Sequence, residues 1–263
     1  MLRRLLPAVV LIAALALQAG PAGAITYGEP DGNAHPNVGA LIVDFAGDDE
    51  GPVHICSGTL IDEDLFLTAA HCTSFLTPQD RVYVSFATDV DPIPKRLLPG
   101  TAISHPDFGH DQSNSFDIAV VDLNRDVTGL TPAEIPEVGL LDRLDEAGTL
   151  ASTRFTAVGY GVHEPTKGGG PPQFPYDGMR WRSVSTFNAL TTAWLRLSQN
   201  ANTSEGGTCF GDSGGPNFLG AGQSETDIIA AITISGDAMC RSTNVTYRLD
   251  TPWVHEFLGR FLD

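Results

Sequence analysis

Short apolar runs alternate with turn residues along the chain beyond residue 25. Runs rich in Val, Ile, Leu, Thr and Phe are separated by Gly, Pro, Asp and Asn, and they include VGALIVD, HICSGTLI, LFLTAA, RVYVSFA, DIAVVDL, TRFTAVGY, AWLRLS, DIIAAITIS and NVTYRLD. In RVYVSFA, Val82, Val84 and Phe86 alternate with Tyr83 and Ser85, which is the two-residue period of a half-buried strand. Many short strands at this spacing predict an all-β sandwich or barrel protein.

Three segments depart from the strand pattern. Residues 131–148, TPAEIPEVGLLDRLDEAG, are polar and contain two prolines, so they are the candidate linker between two halves of the chain. Residues 164–178 contain too much Gly and Pro for regular structure. In TPWVHEFLGRFLD the apolar period changes to that of an amphipathic helix, with Thr251 as N-cap and Pro252 at the first helical position.

The N-terminus has the layout of a cleaved secretory signal. Arg3 and Arg4 precede an apolar run from Leu5 to Leu17, and small residues follow up to Ala24. The alternative is a membrane anchor, but about 13 apolar residues interrupted by a proline are too few to cross roughly 30 Å of hydrocarbon. We therefore expect residues 1–24 to be removed and the mature chain to be secreted, with no attachment to a membrane.

The net charge limits the possible partners, and the cysteines limit the possible disulfides and metal sites. The chain has 15 basic and 32 acidic residues, and its formal net charge of -17 disfavours binding to nucleic acid or acidic lipid. Four cysteines allow three disulfide pairings, and the sequence alone does not choose among them. Export favours disulfides, and no Cys/His spacing typical of zinc is present. We expect no metal and no cofactor.

Three motifs carry candidate chemistry: LTAAHC at 67–72, DIAVVDL at 117–123 and GDSGGP at 211–216. Alone, GDSGGP could be a surface turn. In this order and at this spacing, the three motifs strongly resemble the chymotrypsin/trypsin family of secreted serine endopeptidases, and the compact layout resembles the bacterial members. The resemblance implies two packed six-stranded antiparallel β-barrels with a C-terminal α-helix. The corresponding domains are residues 25–135, 136–250 and 251–263.

The resemblance also assigns roles to individual residues. His71 matches the general base, Asp117 the carboxylate that orients it, and Ser213 the nucleophile. A serine hydroxyl needs such a base because it is a poor nucleophile at neutral pH. The backbone N–H groups of Gly211 and Ser213 match the oxyanion hole. The implied disulfides are Cys56 with Cys72 and Cys209 with Cys240.

The residue after the cleavage point suggests how the enzyme becomes active. Cleavage after Ala24 makes Ile25 the first residue, and in the family such a residue pairs its ammonium with the aspartate before the nucleophile, here Asp212. A buried carboxylate without a partner is costly, so an ammonium created by cleavage would stabilise it. The alternative is that ITYG begins a disordered lead and that another processing step intervenes.

The specificity pocket departs from the trypsin pattern. Where an aspartate selects Arg or Lys in the family, this chain has Gly207. The expected lining consists of Gly207, Thr208, Ile234, Ser235, Gly236 and Asn244. The Asn244 side chain stands where a glycine is usual and should narrow the slot, which favours an uncharged, small or medium substrate residue. Glu205 or Asp237 would reverse this preference if either pointed inward.

The resulting prediction is a monomeric serine endopeptidase that acts on protein or peptide substrates. The alternative is a catalytically silent homologue that serves as a binding or cofactor protein. Such relatives usually have a replaced triad residue, and none is replaced here. A third interpretation, a structural β-domain with accidental motifs, would leave the order of the three motifs unexplained.

Overall fold

Thirteen strands and two α-helices make up the regular structure of the residues described in this computed structural model, 25–166 and 170–262. The predicted signal, residues 1–24, lies outside that part of the chain. The strands are Glu29–Pro30 (β1), Val38–Asp44 (β2), Val53–Leu60 (β3), Leu65–Thr68 (β4), Arg81–Ser85 (β5), Leu98–Ser104 (β6), Ala119–Leu123 (β7), Arg154–Gly159 (β8), Trp181–Leu190 (β9), Trp194–Ser198 (β10), Pro216–Leu219 (β11), Ile229–Gly236 (β12) and Thr243–Arg248 (β13). The helices are Leu140–Glu146 (α1) and Pro252–Leu258 (α2).

The first six long strands close into a barrel. Their order around the barrel is β2-β3-β4-β7-β6-β5, and β2 pairs with both β3 and β5 to close it. Every pair is antiparallel. Leu41, Phe66 and Val120 are fully buried in its core, as expected when alternate side chains of each strand point inward.

The remaining strands form the second barrel in the order β9-β10-β13-β12-β11-β8, which is closed by the antiparallel pair of β8 with β9. The short strand β1 is added to β9. Phe155, Leu195 and Ala231 are fully buried in this half. The predicted fold class, two six-stranded antiparallel barrels, is therefore confirmed.

The helices differ in part from the sequence pattern. Helix α1 lies inside the predicted linker, where it buries Leu141, and the pattern did not predict it. Helix α2 begins at Pro252 as expected and buries Val254, Phe257 and Leu258, but it ends at Leu258 and is shorter than the 251–263 segment. The Thr251 side chain makes no capping hydrogen bond. No helix of the described residues is both long enough and apolar enough to span a membrane.

A buried arginine joins the two barrels. Arg180, which precedes β9, is 1% exposed. Its Nε donates to Asp31 Oδ2 at 2.9 Å, and its Nη1 donates to the Val38 carbonyl at 2.9 Å and to the Tyr160 hydroxyl at 3.2 Å. The Tyr160 hydroxyl in turn donates to the Ala87 carbonyl at 2.6 Å. One guanidinium thus ties the N-terminal segment, the first barrel and the second barrel together.

Replacing this arginine should destabilise the fold strongly. In Arg180→Met the carboxylate of Asp31 stays buried and keeps only His35 as a charged partner, and breaking a buried ion pair typically costs about 3 kcal/mol. The measurement is the free energy of unfolding in urea. The control is Arg182→Met, because the Arg182–Glu29 pair is exposed and should contribute less than about 1 kcal/mol. Equal losses in the two variants would contradict the assigned role of Arg180.

Candidate active site

His71 and Asp117 are held together by two hydrogen bonds. His71 lies in a 3₁₀ turn, Ala70–Cys72, that follows β4, and Asp117 lies just before β7, the strand paired with β4. The imidazole Nδ1 is 2.9 Å from Asp117 Oδ2, and the His71 backbone N–H donates to Oδ1 at 2.8 Å. Asp117 is buried, whereas about a third of the His71 side chain is exposed. This geometry fixes Nδ1 as the donor and leaves Nε2 free to accept a proton.

Ser213 comes from the other barrel and reaches the same cavity as His71. Its carbonyl accepts a hydrogen bond from the Ser57 N–H of β3 at 2.9 Å. The next residue, Gly214, has a φ of +78°, and a Cβ there would overlap the Thr68 hydroxyl of the first barrel. Only glycine permits so close an approach. In the described chain no hydrogen bond joins the Ser213 hydroxyl to His71, and such bonds often tighten only when substrate binds.

The backbone around Gly211 forms a cradle of free donors. Gly211 has a φ of +97°. Within the described residues, neither the Gly211 N–H nor the Ser213 N–H donates to another protein atom. Two free N–H groups beside a nucleophile are the arrangement that stabilises an oxyanion.

Ser57 supports this cradle and was missed in the sequence. Its fully buried hydroxyl donates to the Gly211 carbonyl at 2.9 Å and accepts from the Tyr160 N–H at 3.0 Å. Asn114 was missed as well, and its side chain accepts from the Tyr247 hydroxyl at 2.9 Å, which ties the loop before Asp117 to β13. A polar residue inside the apolar run HICSGTLI was the only signal for Ser57.

Both pairs of cysteines are joined. The Cα atoms of Cys56 and Cys72 are 6.3 Å apart across the first disulfide, and those of Cys209 and Cys240 are 5.3 Å apart across the second. These are the pairs that the family resemblance implies. The sulfurs of Cys56 and Cys72 lie beside His71, but because they are bonded to each other they are not free thiolate ligands for a metal.

Asp212 is a fully buried carboxylate that only backbone groups stabilise in the described chain. Its oxygens accept from the Gly161 and Cys209 N–H groups, each at 2.8 Å. Burial raises the pKa of Asp212 to about 7, and these two hydrogen bonds offset only part of that effect. Ile25 is also fully buried and packs on Trp181, and Thr26 pairs with Gly207, five residues before Asp212.

A cavity of about 260 Å³ lies beside Ser213. Four of the residues predicted for the specificity pocket line it, and they are Thr208, Ile234, Ser235 and Gly236. Gly207 and Asn244 do not border it. The Asn244 side chain is fully buried and donates to Asn217 Oδ1 at 3.0 Å. Glu205 accepts from the Thr186 and Ser198 hydroxyls away from the cavity, whereas Asp237 is part of the cavity wall.

A family model described as Trypsin matches residues 32–253. The chain belongs to the trypsin family. Trypsin-family proteins are serine-type endopeptidases, a class of hydrolase, and the arrangement of His71, Asp117 and Ser213 is consistent with that chemistry.

Individual relatives agree with the trypsin family assignment. Brachyurin of Leptuca pugilator is 31% identical over 239 residues, which cover 86% of this chain and 95% of brachyurin. Serine protease 28 of Mus musculus is 31% identical over 62% of this chain and 63% of its own length. Trypsin of Saccharopolyspora erythraea is 32% identical over 61% of this chain and 69% of its own length.

A solved structure described as "Structure of GrC" has the same fold. It superposes with a TM-score of 0.64 over 89% of this chain and all of its own, at 18% identity. At that level of identity the likeness concerns the fold alone.

Replacing Ser57 should weaken both stability and turnover. In Ser57→Ala the buried Tyr160 N–H and the Gly211 carbonyl each lose a partner, and an unpaired buried group costs about 1–3 kcal/mol. We expect a loss of that size in the free energy of unfolding, together with a fall in kcat at unchanged KM as the Gly211 N–H loses its support. The control is Ser152→Ala, at an exposed hydroxyl. A fall in stability with normal kcat would contradict a positioning role for Ser57.

Proposed function

We propose that the chain is a secreted serine endopeptidase that hydrolyses peptide bonds through Ser213, His71 and Asp117 by way of an acyl-enzyme. The observation that carries the proposal is the pair of hydrogen bonds from His71 to Asp117, with the free imidazole nitrogen and Ser213 facing one cavity. The Asp117 carboxylate holds the tautomer in which Nε2 accepts a proton.

The first half of the reaction forms the acyl-enzyme. His71 Nε2 takes the proton of the Ser213 hydroxyl while Oγ bonds to the carbonyl carbon of the substrate. The carbonyl oxygen becomes an oxyanion that the Gly211 and Ser213 N–H groups stabilise. When the C–N bond breaks, the imidazolium gives its proton to the departing amine.

Water then completes the hydrolysis. His71 Nε2 takes a proton from the water, whose oxygen attacks the ester carbon, and the same two N–H groups stabilise the second oxyanion. Collapse of this intermediate releases the carboxylic acid and returns the proton to Ser213 Oγ, so the enzyme is unchanged after each cycle.

Activation by removal of residues 1–24 is part of the proposal. Cleavage after Ala24 would turn the buried Ile25 nitrogen into an ammonium, and the nearby Thr26–Gly207 pair leads along the chain towards Asp212. An ion pair between this ammonium and Asp212 would remove the cost of the buried carboxylate and steady the Gly211 loop.

A fluorophosphonate probe tests the proposed nucleophile. Because the probe reacts only with an activated serine, we expect the secreted chain that begins at Ile25 to be labelled at Ser213 and to hydrolyse peptides. Ser213→Ala should show neither label nor turnover. A correctly matured chain that takes no label would contradict the enzyme and favour the catalytically silent binding protein.

The pH dependence of stability tests the ion pair. In the uncut chain the fold favours protonated Asp212, because its pKa of about 7 exceeds the value of about 3.9 in an unfolded chain. At Asp212 the native state thus binds more protons than the unfolded state, and the contribution of Asp212 to the free energy of unfolding should fall as pH rises from about 4 to about 7. His54, whose lowered pKa acts in the opposite direction, is common to both chains.

The chain that begins at Ile25 should lack this fall, because the ammonium favours the carboxylate. Urea titrations of both chains across the same pH window provide the measurement, and Asp212→Asn in the uncut chain is the control that should remove the Asp212 contribution to the slope. The same slope in both chains would mean that Ile25 does not pair with Asp212.

A further inference from the structure

The cavity beside Ser213 is closed at the end where the family places its specificity aspartate. Gly207 occupies the aspartate position but does not border the cavity, although its neighbour Thr208 does. The space into which a side chain at position 207 would extend is filled by a side chain that no sequence motif indicates.

That side chain is Gln199, which follows β10 and is fully buried. A Cβ on Gly207 would overlap the Gln199 side-chain oxygen, and the Gln199 Cδ would lie only 2.6 Å away. Gln199 Oε1 accepts from the Thr208 N–H at 3.0 Å, which anchors the amide directly behind a residue of the cavity wall. The volume that a side chain at position 207 would need is thus already occupied, by a residue that lies one layer behind Thr208 and does not itself border the cavity.

Asp237 is the acidic residue of the cavity wall, and its carboxylate is engaged by its own loop. Oδ1 accepts from the Ser242 N–H at 2.8 Å and the Thr243 N–H at 3.0 Å, and Oδ2 accepts from the Arg241 N–H at 3.2 Å. Gln199 Nε2 approaches Oδ1 at 3.5 Å. Burial alone would raise the pKa of Asp237, but the backbone hydrogen bonds outweigh it and keep the pKa below its ordinary value.

These contacts leave the Gly207 end of the pocket without a charge, while the Asp237 carboxylate in the wall is held by its own loop. We propose that Gln199 is the specificity-determining residue of the pocket and that it limits the substrate residue before the cleaved bond to small or medium uncharged side chains. This inference rests on the proposed function. A guanidinium or ammonium group would meet no carboxylate at the Gly207 end of the pocket, and a large aromatic ring would have to displace Thr208 and the buried amide behind it.

The sequence favours the same substrate preference but would assign it to a different residue. On the sequence alone, Asn244 was expected to narrow the slot. In the structure the Asn244 amide donates to Asn217 and does not border the cavity, so we assign the limit to Gln199. A substitution of Gln199 should therefore change which substrate residue is preferred. The Asn244 side chain should not narrow the pocket.

A panel of peptides that differ only in the residue before the cleaved bond tests the proposal. The chain that begins at Ile25 is assayed with Ala, Val, Leu, Phe and Arg at that position. We expect kcat/KM to be at least about 100-fold higher for the best of Ala and Val than for Arg or Phe. In Gln199→Ala the floor is removed, and kcat/KM for Leu or Phe relative to Ala should rise at least about 10-fold.

The matched control is Gln223→Ala, because Gln223 is exposed on the second barrel away from the cavity. Its substrate profile should equal that of the unmodified chain. Each protein is first titrated with the fluorophosphonate probe, so that failure of the proposed function appears as absent labelling and is distinguished from failure of the specificity proposal.

Three results would overturn the proposal. One is a dominant preference for Arg in the unmodified chain; if Asp237→Asn removed it, the selectivity would belong to Asp237. Another is a preference for Phe, which would show that the floor is deep. The third is a Gln199→Ala protein that labels normally and keeps the original profile. If Gln199→Ala does not fold, the profile of the unmodified chain decides by itself.

Discussion

The hydroxyl of Ser213 and the imidazole of His71 belong to different barrels, so the site depends on how the barrels are fixed against each other. An apolar interface alone would favour contact without setting a unique register, because the hydrophobic effect is not directional. Hydrogen bonds also cross this interface, from Ser57 to the Ser213 and Gly211 carbonyls and from Arg180 to the Val38 carbonyl. Since an error of about 1 Å between reacting groups can cost about 100-fold in rate, directional contacts suit this task.

The same interface contains a buried carboxylate that no side chain of the described residues neutralises. Asp212 is ionisable and fully buried, and its pKa is raised because two backbone donors do not replace the water it has lost. Such a group lowers the free energy of unfolding unless a cation pairs with it. Its position next to the Gly211 cradle therefore argues that pairing with a cation also affects the conformation of the cradle. A neutral residue at this position would be more stable, but it would not respond to a new ammonium.

The features that the sequence predicted depend on residues close together in the chain. The features that it missed depend on residues far apart. The strands follow from a two-residue period, and the triad candidates follow from three short motifs, each of which can be recognised within about seven residues. Three of the missed residues each have a hydrogen-bond partner 133 to 154 residues away, namely Gly211 for Ser57, Asp31 for Arg180 and Tyr247 for Asn114. No local pattern marks them. Helix α1 was missed because Leu141 is its only buried residue, which leaves little amphipathic periodicity to detect.

The pocket shows why a residue-by-residue comparison with a family has a limit. At position 207 the sequence reports a glycine, which in isolation indicates empty space and no charge. Whether that space is open depends on the neighbouring segment, and here Gln199 fills it from the end of β10 while its oxygen binds the Thr208 N–H. The pocket floor is therefore a property of two segments in contact, and its chemistry follows from the amide that occupies the space and not from the glycine that leaves it free.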